Sequence, residues 1–162
     1  MSDLLFVFGT LKEGFPNFAA NMGARVPGNF VTAARFPLYL VGERHSPWLI
    51  NSPGQGEFVH GQVFEVSPQT LKALDRLERV DEPDGYERAS IQVHLVDSNP
   101  VQSLDAFAYL KHPRHLAEAK FTAGPLGEYT LVHASQYRKR GAFPSTGPVP
   151  NDGKSTPSSR NS

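Results

Sequence analysis

The chain of 162 residues has no cysteine, two methionines and one tryptophan, and its 16 lysines and arginines balance 16 acidic residues. The lack of cysteine excludes disulfides, thiolate nucleophiles and cysteine-based zinc sites, and it fits a reducing compartment. The lack of a basic excess argues against nucleic acid as a partner and against a polybasic membrane anchor. The apolar run Leu4–Phe8 is too short for a signal sequence or a membrane span. We therefore expect a cytoplasmic protein with no nucleic-acid or membrane partner.

Several catalytic and cofactor motifs are also missing. The chain has no Gly-x-Ser-x-Gly elbow, and the segment Gly54-Gln55-Gly56 lacks the third glycine of a dinucleotide-binding loop. His112 and His115 stand three residues apart, a spacing that a helix could use for a metal, but no carboxylate or third histidine lies near them in sequence. A surface loop is the better interpretation of that pair.

Composition divides the chain in two. Fourteen glycines and fourteen prolines predict many turns and little long helix. Residues 141–162 are rich in Gly, Pro, Ser, Thr and Asn and poor in apolar side chains, so they cannot bury enough surface to offset their ordering entropy. The sequence thus predicts a folded domain over residues 1–140 and a disordered tail over 141–162.

The apolar patterning within residues 1–140 is mostly that of strands. Several segments alternate or run continuously apolar between Gly, Pro or Asn stops. The segment Glu57–Val66 has apolar residues on both parities, so it should be a central strand. The fold class expected is α+β, a small mixed β-sheet or partial barrel of about six strands with a few short helices. The candidate strands are 4–8, 29–36, 38–41, 48–50, 57–66, 86–96 and 103–110.

Two helices are predicted. Ser67-Pro68 is a capping residue followed by proline at the first helical position. Leu71, Leu74 and Leu77 then follow at spacing three. A second helix is predicted over 129–140, with Leu131 or Val132 facing inward and basic residues in its last turn.

Glu78 is the first candidate for chemistry. It shares one helical face with Leu71 and Leu74, at i, i+3 and i+7. A carboxylate on an apolar face is costly to ionise, so burial would raise its pKa towards the range of a general acid or base. The alternative is a solvated glutamate in a frayed last turn. Asp75 lies near the same face and could pair with Arg79 at i+4.

The second candidate is the loop Phe8-Gly9-Thr10-Leu11, where the first strand runs directly into Gly-Thr. Glycine permits a positive φ and a sharp turn, and successive exposed N–H groups at such a turn can hold an anion or a developing oxyanion. An ordinary strand-ending turn is the alternative. Trp48 is similarly open to two interpretations, a core residue or the wall of a pocket.

Together these features resemble the γ-glutamylcyclotransferase-like (AIG2-like) family, whose members open with a strand and a Tyr-Gly-Thr-Leu loop. The resemblance is closest to the γ-glutamylamine cyclotransferase branch. It runs in order through residues 4–96. The matching segments are Phe8-Gly9-Thr10-Leu11, Gly14-Phe15-Pro16-Asn17, Phe36-Pro37-Leu38, Ser46-Pro47-Trp48-Leu49, Gly61-Gln62-Val63-Phe64-Glu65-Val66, Leu74-Asp75-Arg76-Leu77-Glu78 and Tyr86-Glu87-Arg88.

The resemblance implies a reaction and a site. The substrate's own α-amine would attack its γ-carbonyl, giving 5-oxoproline and a free amine, with Glu78 as general acid and base. Phe8, Gly9, Thr10 and Leu11 would bind the substrate through their backbone. The partner would be a small γ-glutamyl molecule, and no metal or cofactor would be required.

Three departures from the family pattern leave alternatives open. Phe8 stands where the family usually has tyrosine, Phe18 where the amine-specific branch often has histidine, and the loop 80–85 is longer and more acidic. The identity of the leaving amine and the oligomeric state therefore stay open. A non-catalytic module that binds a small molecule or a protein on the same fold is the alternative function, and removal of a γ-glutamyl group from a natural product is a variant of the first.

Overall fold

The computed structural model describes residues 2–139, which contain nine β-strands, two α-helices and two short 3-10 helices. The predicted tail at 141–162 lies outside the described residues. None of the described helices is long and apolar enough to cross a membrane. The strands are β1 (Asp3–Val7), β2 (Ala24–Arg25), β3 (Phe30–Phe36), β4 (Leu38–Val41), β5 (Ser46–Leu49), β6 (Glu57–Val66), β7 (Glu87–Leu95), β8 (Ser103–Leu110) and β9 (Phe121–Ala123), and the helices are α1 (Pro68–Leu77) and α2 (Leu131–Ala134).

Five strands close into a barrel in the order β1, β6, β3, β7, β8 and back to β1, with β2 as an extra strand on β6. The β1–β8 contact is parallel and the others are antiparallel. Closure leaves few unpaired strand edges. The α+β mixed sheet or partial barrel expected from the sequence is confirmed, and β6 is central as predicted because β1, β2 and β3 all pair with it.

Gly61 allows β1 to cross close to β6. A Cβ built on Gly61 would lie 2.4 Å from the carbonyl oxygen of Val7 and 2.7 Å from the ring of Phe6. A side chain at this position would therefore push β1 away from the barrel and displace the loop that follows β1.

β1 is buried on both faces, which explains its unbroken apolar run. Phe6 joins the core inside the barrel, whereas Leu5 and Val7 belong to a second core between the barrel and α1. In that second core Leu71 and Leu74 of α1 are 6% and 1% exposed. Burying each of these leucines is worth roughly 1.5–3 kcal/mol relative to exposure, so the amphipathic face fixes how α1 lies against β1.

The start of α1 is as predicted. The Ser67 hydroxyl accepts a hydrogen bond from the Thr70 N–H at 3.1 Å, and Pro68 occupies the first turn. This cap satisfies a backbone donor that the helix itself cannot use.

The predicted second helix is wrong in length and in orientation. Only Leu131–Ala134 is helical, one turn in which the Thr130 and His133 side chains cap the first backbone groups. Leu131 and Val132 are 62% and 76% exposed, whereas Tyr129 just before the helix is fully buried. The chain therefore docks through Tyr129 in the core rather than through an amphipathic helix face. Residue 140 lies outside the described residues.

Two short strands carry no alternation that the sequence could reveal. β2 has two residues, and β9 has three and completes a separate sheet in the order β5, β4, β9. β9 is held partly by a ring stack of Phe121 on Tyr39, with centroids 4.2 Å apart. This second sheet places β5 and the residues around it beside the open end of the barrel.

Candidate active site

A cavity of about 380 Å³ lies between the barrel, the end of α1 and β5. Its volume is in the range that suits a small-molecule ligand. The loop after β1, the residues after α1 and the end of β8 meet here, although they are far apart in sequence. Among the residues that line it are Phe8, Gly9, Thr10, Leu11, Asn17, Arg44, Pro47, Trp48, Glu78, Asp84, Gly85, Tyr86, Tyr109, Lys111, His115 and Tyr137.

Glu78 lines this cavity as the residue that caps the C-terminal end of α1. Its N–H donates to the Leu74 carbonyl at 2.8 Å, and its own carbonyl accepts from the Tyr86 N–H at 3.0 Å. With both backbone groups bonded, the residue is not in a frayed turn. Its side chain is half-buried, so the face shared with Leu71 and Leu74 does lead into the cavity.

The turn after Glu78 ends α1 in a Schellman motif. The Arg79 N–H donates to the Arg76 carbonyl at 3.1 Å and the Val80 N–H to the Asp75 carbonyl at 3.0 Å. Arg79 takes the left-handed position, φ +58°, that glycine usually occupies there. This turn reverses the chain and places the residues after Arg79 along the rim of the cavity.

Gly85 packs directly on that turn. A Cβ built on Gly85 would lie 1.7 Å from the carbonyl oxygen of Arg79. A larger residue could fit only if the backbone next to Glu78 moved. Gly85 thus helps to position Glu78. The sequence around Gly85 does not indicate this role.

The acidic loop is tied back to the helix end by an ion pair. The Arg79 guanidinium contacts the Asp84 carboxylate at 2.6 Å. The hydrogen bond from Arg79 lowers the pKa of Asp84 below its usual value, and the same bond raises the pKa of Arg79. Both groups are exposed to solvent, so the pair adds little stability. Asp84 and Gly85 reach the cavity, whereas Glu82 does not line it.

The predicted pair of Asp75 with Arg79 is wrong. Asp75 instead accepts a hydrogen bond from the Tyr109 hydroxyl at 2.7 Å and pairs with Arg88 at 3.2 Å. Arg79 turns away because its left-handed backbone directs it to Asp84. Burial raises the pKa of Tyr109, and the nearby charges of Asp75 and Glu78 raise it further, so Tyr109 remains a neutral hydrogen-bond donor at the floor of the cavity.

The loop after β1 lines the same cavity as Glu78. Phe8 and Leu11 are each 7% exposed and anchor the loop in the two cores. Asn17 ties down Thr10 twice, through its N–H to the Thr10 carbonyl at 2.8 Å and through its amide to the Thr10 hydroxyl at 2.9 Å. Within residues 2–139, no backbone carbonyl accepts from the N–H of Thr10 or Leu11 outside regular strands and helices.

The positive φ expected at Gly9 from the sequence is wrong. Gly9 does not have a positive φ; the glycines that do are elsewhere. Instead, a Cβ on Gly9 would lie 2.8 Å from Cγ of Pro47. Glycine is needed here because β5 approaches the loop closely.

An aromatic and cationic wall completes the cavity. Trp48 is half-buried and lines the cavity, so of its two interpretations the pocket wall is correct. The Lys111 ammonium lies 4.5 Å from the Trp48 ring centroid and 4.7 Å from that of Tyr86. The Tyr86 hydroxyl donates to the Pro47 carbonyl at 3.1 Å, which links Tyr86 to β5.

Comparisons with known proteins fit this arrangement. A sequence profile of the family described as gamma-glutamyl cyclotransferase, AIG2-like, matches residues 5–131. The chain belongs to this family. It is 38% identical over 114 residues to the gamma-glutamylaminecyclotransferase of Mus musculus, covering 65% of this chain and 75% of the relative. It is 39% identical over 116 residues to a putative gamma-glutamylcyclotransferase of Drosophila melanogaster, covering 68% and 70%.

A solved structure supports the same assignment. The crystal structure of an AIG2-like protein from Mus musculus superposes with a TM-score of 0.63 at 33% identity and covers 86% of this chain and 97% of that one. The expected resemblance to the AIG2-like family, in its γ-glutamylamine cyclotransferase branch, is therefore confirmed. The chain is an enzyme of the γ-glutamyl cyclotransferase type.

Within this AIG2-like fold, two departures from the family pattern fall in different places. Phe8 lines the cavity, so the site lacks the hydroxyl that a tyrosine at position 8 would provide. Phe18 packs against the Phe64 ring at 5.9 Å and is not among the residues lining the cavity. The loss of a histidine at position 18 therefore leaves the cavity wall unchanged.

The histidine pair of this family member does not form a metal centre. The His112 ring nitrogen accepts from the Arg114 N–H at 3.0 Å and caps a 3-10 helix, Pro113–Glu118. His115 faces the cavity, and burial together with the charge of Lys111 lowers its pKa. Residues 2–139 contain no group of three or more His, Asp or Glu side chains placed to hold a metal ion.

Lys111 and Tyr137 were missed by the sequence reasoning. Lys111 follows directly after β8, and the alternation of apolar residues in a strand does not predict that a lysine at its end is buried. Tyr137 lies in the segment predicted as helix, and its hydroxyl accepts from Asn17 and Arg44, each at 3.2 Å. Both positions depend on contacts between distant segments, and no local pattern encodes those.

Proposed function

We propose that this protein is a γ-glutamyl cyclotransferase that converts a γ-glutamyl amine or γ-glutamyl amino acid into 5-oxoproline and the free amine. The observation that carries the proposal is the meeting of Glu78 and the loop Phe8–Leu11 in one cavity of about 380 Å³. The names of the relatives support a γ-glutamyl substrate.

The chemistry needs no protein nucleophile. The α-nitrogen of the substrate forms a bond to its own γ-carbonyl carbon, and the bond from that carbon to the amine nitrogen breaks. The α-nitrogen begins as an ammonium and ends as a lactam N–H, so it gives up two protons. The leaving nitrogen begins as an amide N–H and ends as an ammonium, so it takes up two. A cysteine-free chain is suited to this substrate-assisted route.

Glu78 is the proposed proton carrier. Twice in each turnover its carboxylate accepts a proton from the α-nitrogen, and its carboxylic acid then returns that proton to the leaving nitrogen. Its fixed backbone and half-buried side chain keep it in place for both transfers. General acid–base catalysis of this kind contributes about 10²–10⁴-fold in rate.

The loop Phe8–Leu11 is the proposed oxyanion site. When the α-amine adds to the carbonyl, its oxygen gains negative charge that preorganised N–H donors can stabilise. Asn17 and the two cores hold the loop in place, so the donors need little reorganisation. Loss of one such donor costs about 10²–10³ in kcat. Because the donors belong to the backbone, phenylalanine in place of tyrosine at position 8 is compatible with the chemistry.

Incubation of the purified chain with a panel of γ-glutamyl amines and γ-glutamyl amino acids tests the proposal. Chromatography should detect 5-oxoproline and the free amine in equal amounts for at least one member of the panel, with saturation kinetics. A γ-glutamyl amine whose α-nitrogen is trimethylated to a quaternary ammonium serves as the control substrate, because that nitrogen has no lone pair with which to attack the γ-carbonyl. Binding of panel members without release of 5-oxoproline would contradict the proposal and favour the non-catalytic binding module.

A further inference from the structure

Lys111 is a cation buried at the edge of the cavity. The residue is 5% exposed and its backbone is fixed on both sides. Its N–H donates to the Leu49 carbonyl at 2.8 Å, and its carbonyl accepts from the Asn51 N–H at 2.9 Å. This parallel bridge between β5 and the end of β8 directs the side chain to the site regardless of local sequence preference.

The Lys111 ammonium has defined surroundings. It lies over the Trp48 and Tyr86 rings and donates to the Asp84 carbonyl oxygen. Ring faces attract a cation, and more so away from water. Removing an ammonium ion from water nevertheless carries a large desolvation penalty before compensation. A cation kept at this cost beside the candidate active site suggests a task there.

The proposed substrate has a charge that the mechanism above leaves without a partner. Its glutamyl head carries an α-ammonium and an α-carboxylate on the same carbon, and Glu78 acts on the nitrogen. A carboxylate that leaves water to enter the cavity needs a cation or several N–H donors. Tyr86 links the two charged residues, because its N–H donates to the Glu78 carbonyl and its ring lies under the Lys111 ammonium.

Among the residues described, Lys111 is the buried ammonium on the cavity wall. Of the other cationic side chains there, Arg79 pairs with Asp84, Arg44 donates to the Arg138 carbonyl at 3.0 Å, and Lys139 is exposed. We propose that Lys111 binds the α-carboxylate of the γ-glutamyl substrate, a role that rests on the proposed function.

Binding measurements with the product and a neutral analogue test this role. Isothermal titration calorimetry would compare 5-oxoproline, which keeps the α-carboxylate, with 5-oxoprolinamide, which lacks its charge. The proteins are the full chain, Lys111→Met, Lys111→Arg and, as a matched control, Lys120→Met, an exposed lysine outside the cavity lining. Circular dichroism would verify folding, with Lys111→Gln as the substitute if the methionine variant does not fold.

The full chain and Lys120→Met should bind 5-oxoproline about 10- to 100-fold more tightly than 5-oxoprolinamide, the usual strength of one charge-assisted hydrogen bond. Lys111→Met should abolish this preference and leave the affinity for 5-oxoprolinamide unchanged, and Lys111→Arg should keep most of the preference. A purely structural lysine would instead weaken both ligands equally, and that result would overturn the proposal. A full chain with no preference would overturn it without any variant.

These titrations, combined with the assay of 5-oxoproline release, separate this inference from the proposed function. Release of 5-oxoproline from γ-glutamyl amines without a Lys111-dependent preference would refute the carboxylate site alone. A Lys111-dependent preference in a chain that releases no 5-oxoproline from any substrate would refute the cyclotransferase reaction and leave the binding site standing.

Discussion

The backbone of Glu78 is held by hydrogen bonds that neighbouring residues provide. Its carbonyl bonds to the N–H of Tyr86, and the left-handed Arg79 immediately after it lies against Gly85. The direction of the carboxylate therefore depends on Tyr86, Arg79 and Gly85. Substitutions at two glycines, Gly85 beside this turn and Gly9 in the loop after β1, test the positioning of each part of the site separately.

Gly85→Ala should lower both activity and stability. The new Cβ would lie 1.7 Å from the Arg79 carbonyl oxygen, so the turn that carries Glu78 must shift, at a cost of about 1–3 kcal/mol. Thermal unfolding and 5-oxoproline release would be measured beside Gly127→Ala, where a Cβ meets only the Phe58 carbonyl at 3.5 Å. A Gly85→Ala chain that matches the Gly127→Ala chain in both assays would show that the contact does not position Glu78.

Gly9→Val should be more damaging than Phe8→Tyr. A side chain at Gly9 collides with Pro47, whose Cγ lies 2.8 Å from the built Cβ, and the collision moves the N–H groups proposed to hold the oxyanion. A loss of at least about 10²-fold in kcat is expected, whereas the added tyrosine hydroxyl only restores the residue typical of the family. Rates of 5-oxoproline release would be compared after circular dichroism confirms folding.

The close contact itself can be tested with a double mutant. If Pro47 causes the damage, Gly9→Ala in a Pro47→Ala background should recover part of the activity that Gly9→Ala alone loses, because the clashing Cγ is gone. Additive losses would indicate that Gly9 matters for another reason, and a fully active Gly9→Val chain would remove the loop from the proposed site.

Among the elements, α1 and β1 are where sequence reasoning succeeds. Ser67-Pro68 and the leucine spacing locate α1, and the unbroken apolar run locates β1, since capping and burial are local properties that the sequence displays. The helical spacing made Glu78 a candidate, and the resemblance of Leu74-Asp75-Arg76-Leu77-Glu78 to the family's motif selected it. Lys111 could not be predicted from the sequence, because it reaches the cavity through a bridge to Ile50, 61 positions earlier.

The segment predicted as a second helix fails for a similar reason. Leu131 or Val132 is expected to face inward, but the residue that docks is Tyr129, which fits between Phe15 and His133 at ring distances of 5.8 Å. A single buried aromatic side chain outweighs weak helix propensity. The chain beyond it is then free to bring Tyr137 to the cavity wall.

Tyr137→Phe tests that wall. Its hydroxyl accepts from Asn17, which also holds Thr10, and from Arg44. Without the hydroxyl, the loop after β1 loses one restraint, and a two- to tenfold fall in kcat/KM is expected at about 0.5–1.5 kcal/mol per hydrogen bond. Tyr39→Phe, whose ring stacks on Phe121 away from the cavity, is the control. Equal kinetics for the two variants would refute the proposed restraint.

For the whole molecule, a closed barrel carries the loop, α1 and β8 to one end, and the site is the place where they meet. A chain truncated after Arg140 should keep its melting temperature and its rate of 5-oxoproline release, because residues 141–162 are poor in apolar side chains and should contribute little burial. A large fall in either quantity, compared with the full chain under the same conditions, would assign residues 141–162 a part in the fold or the site.

The central claim is that Glu78 carries the protons of a cyclotransferase reaction, and one variant tests it most directly. Glu78→Gln keeps the volume of the side chain but cannot exchange a proton, so 5-oxoproline release should fall by about 10²–10⁴-fold with an unchanged circular dichroism spectrum. Glu82→Gln, four residues further on and outside the cavity lining, should retain the rate of the full chain. A Glu78→Gln chain that turns over at that rate, or a loss confined to Glu82→Gln, would contradict the assignment of Glu78.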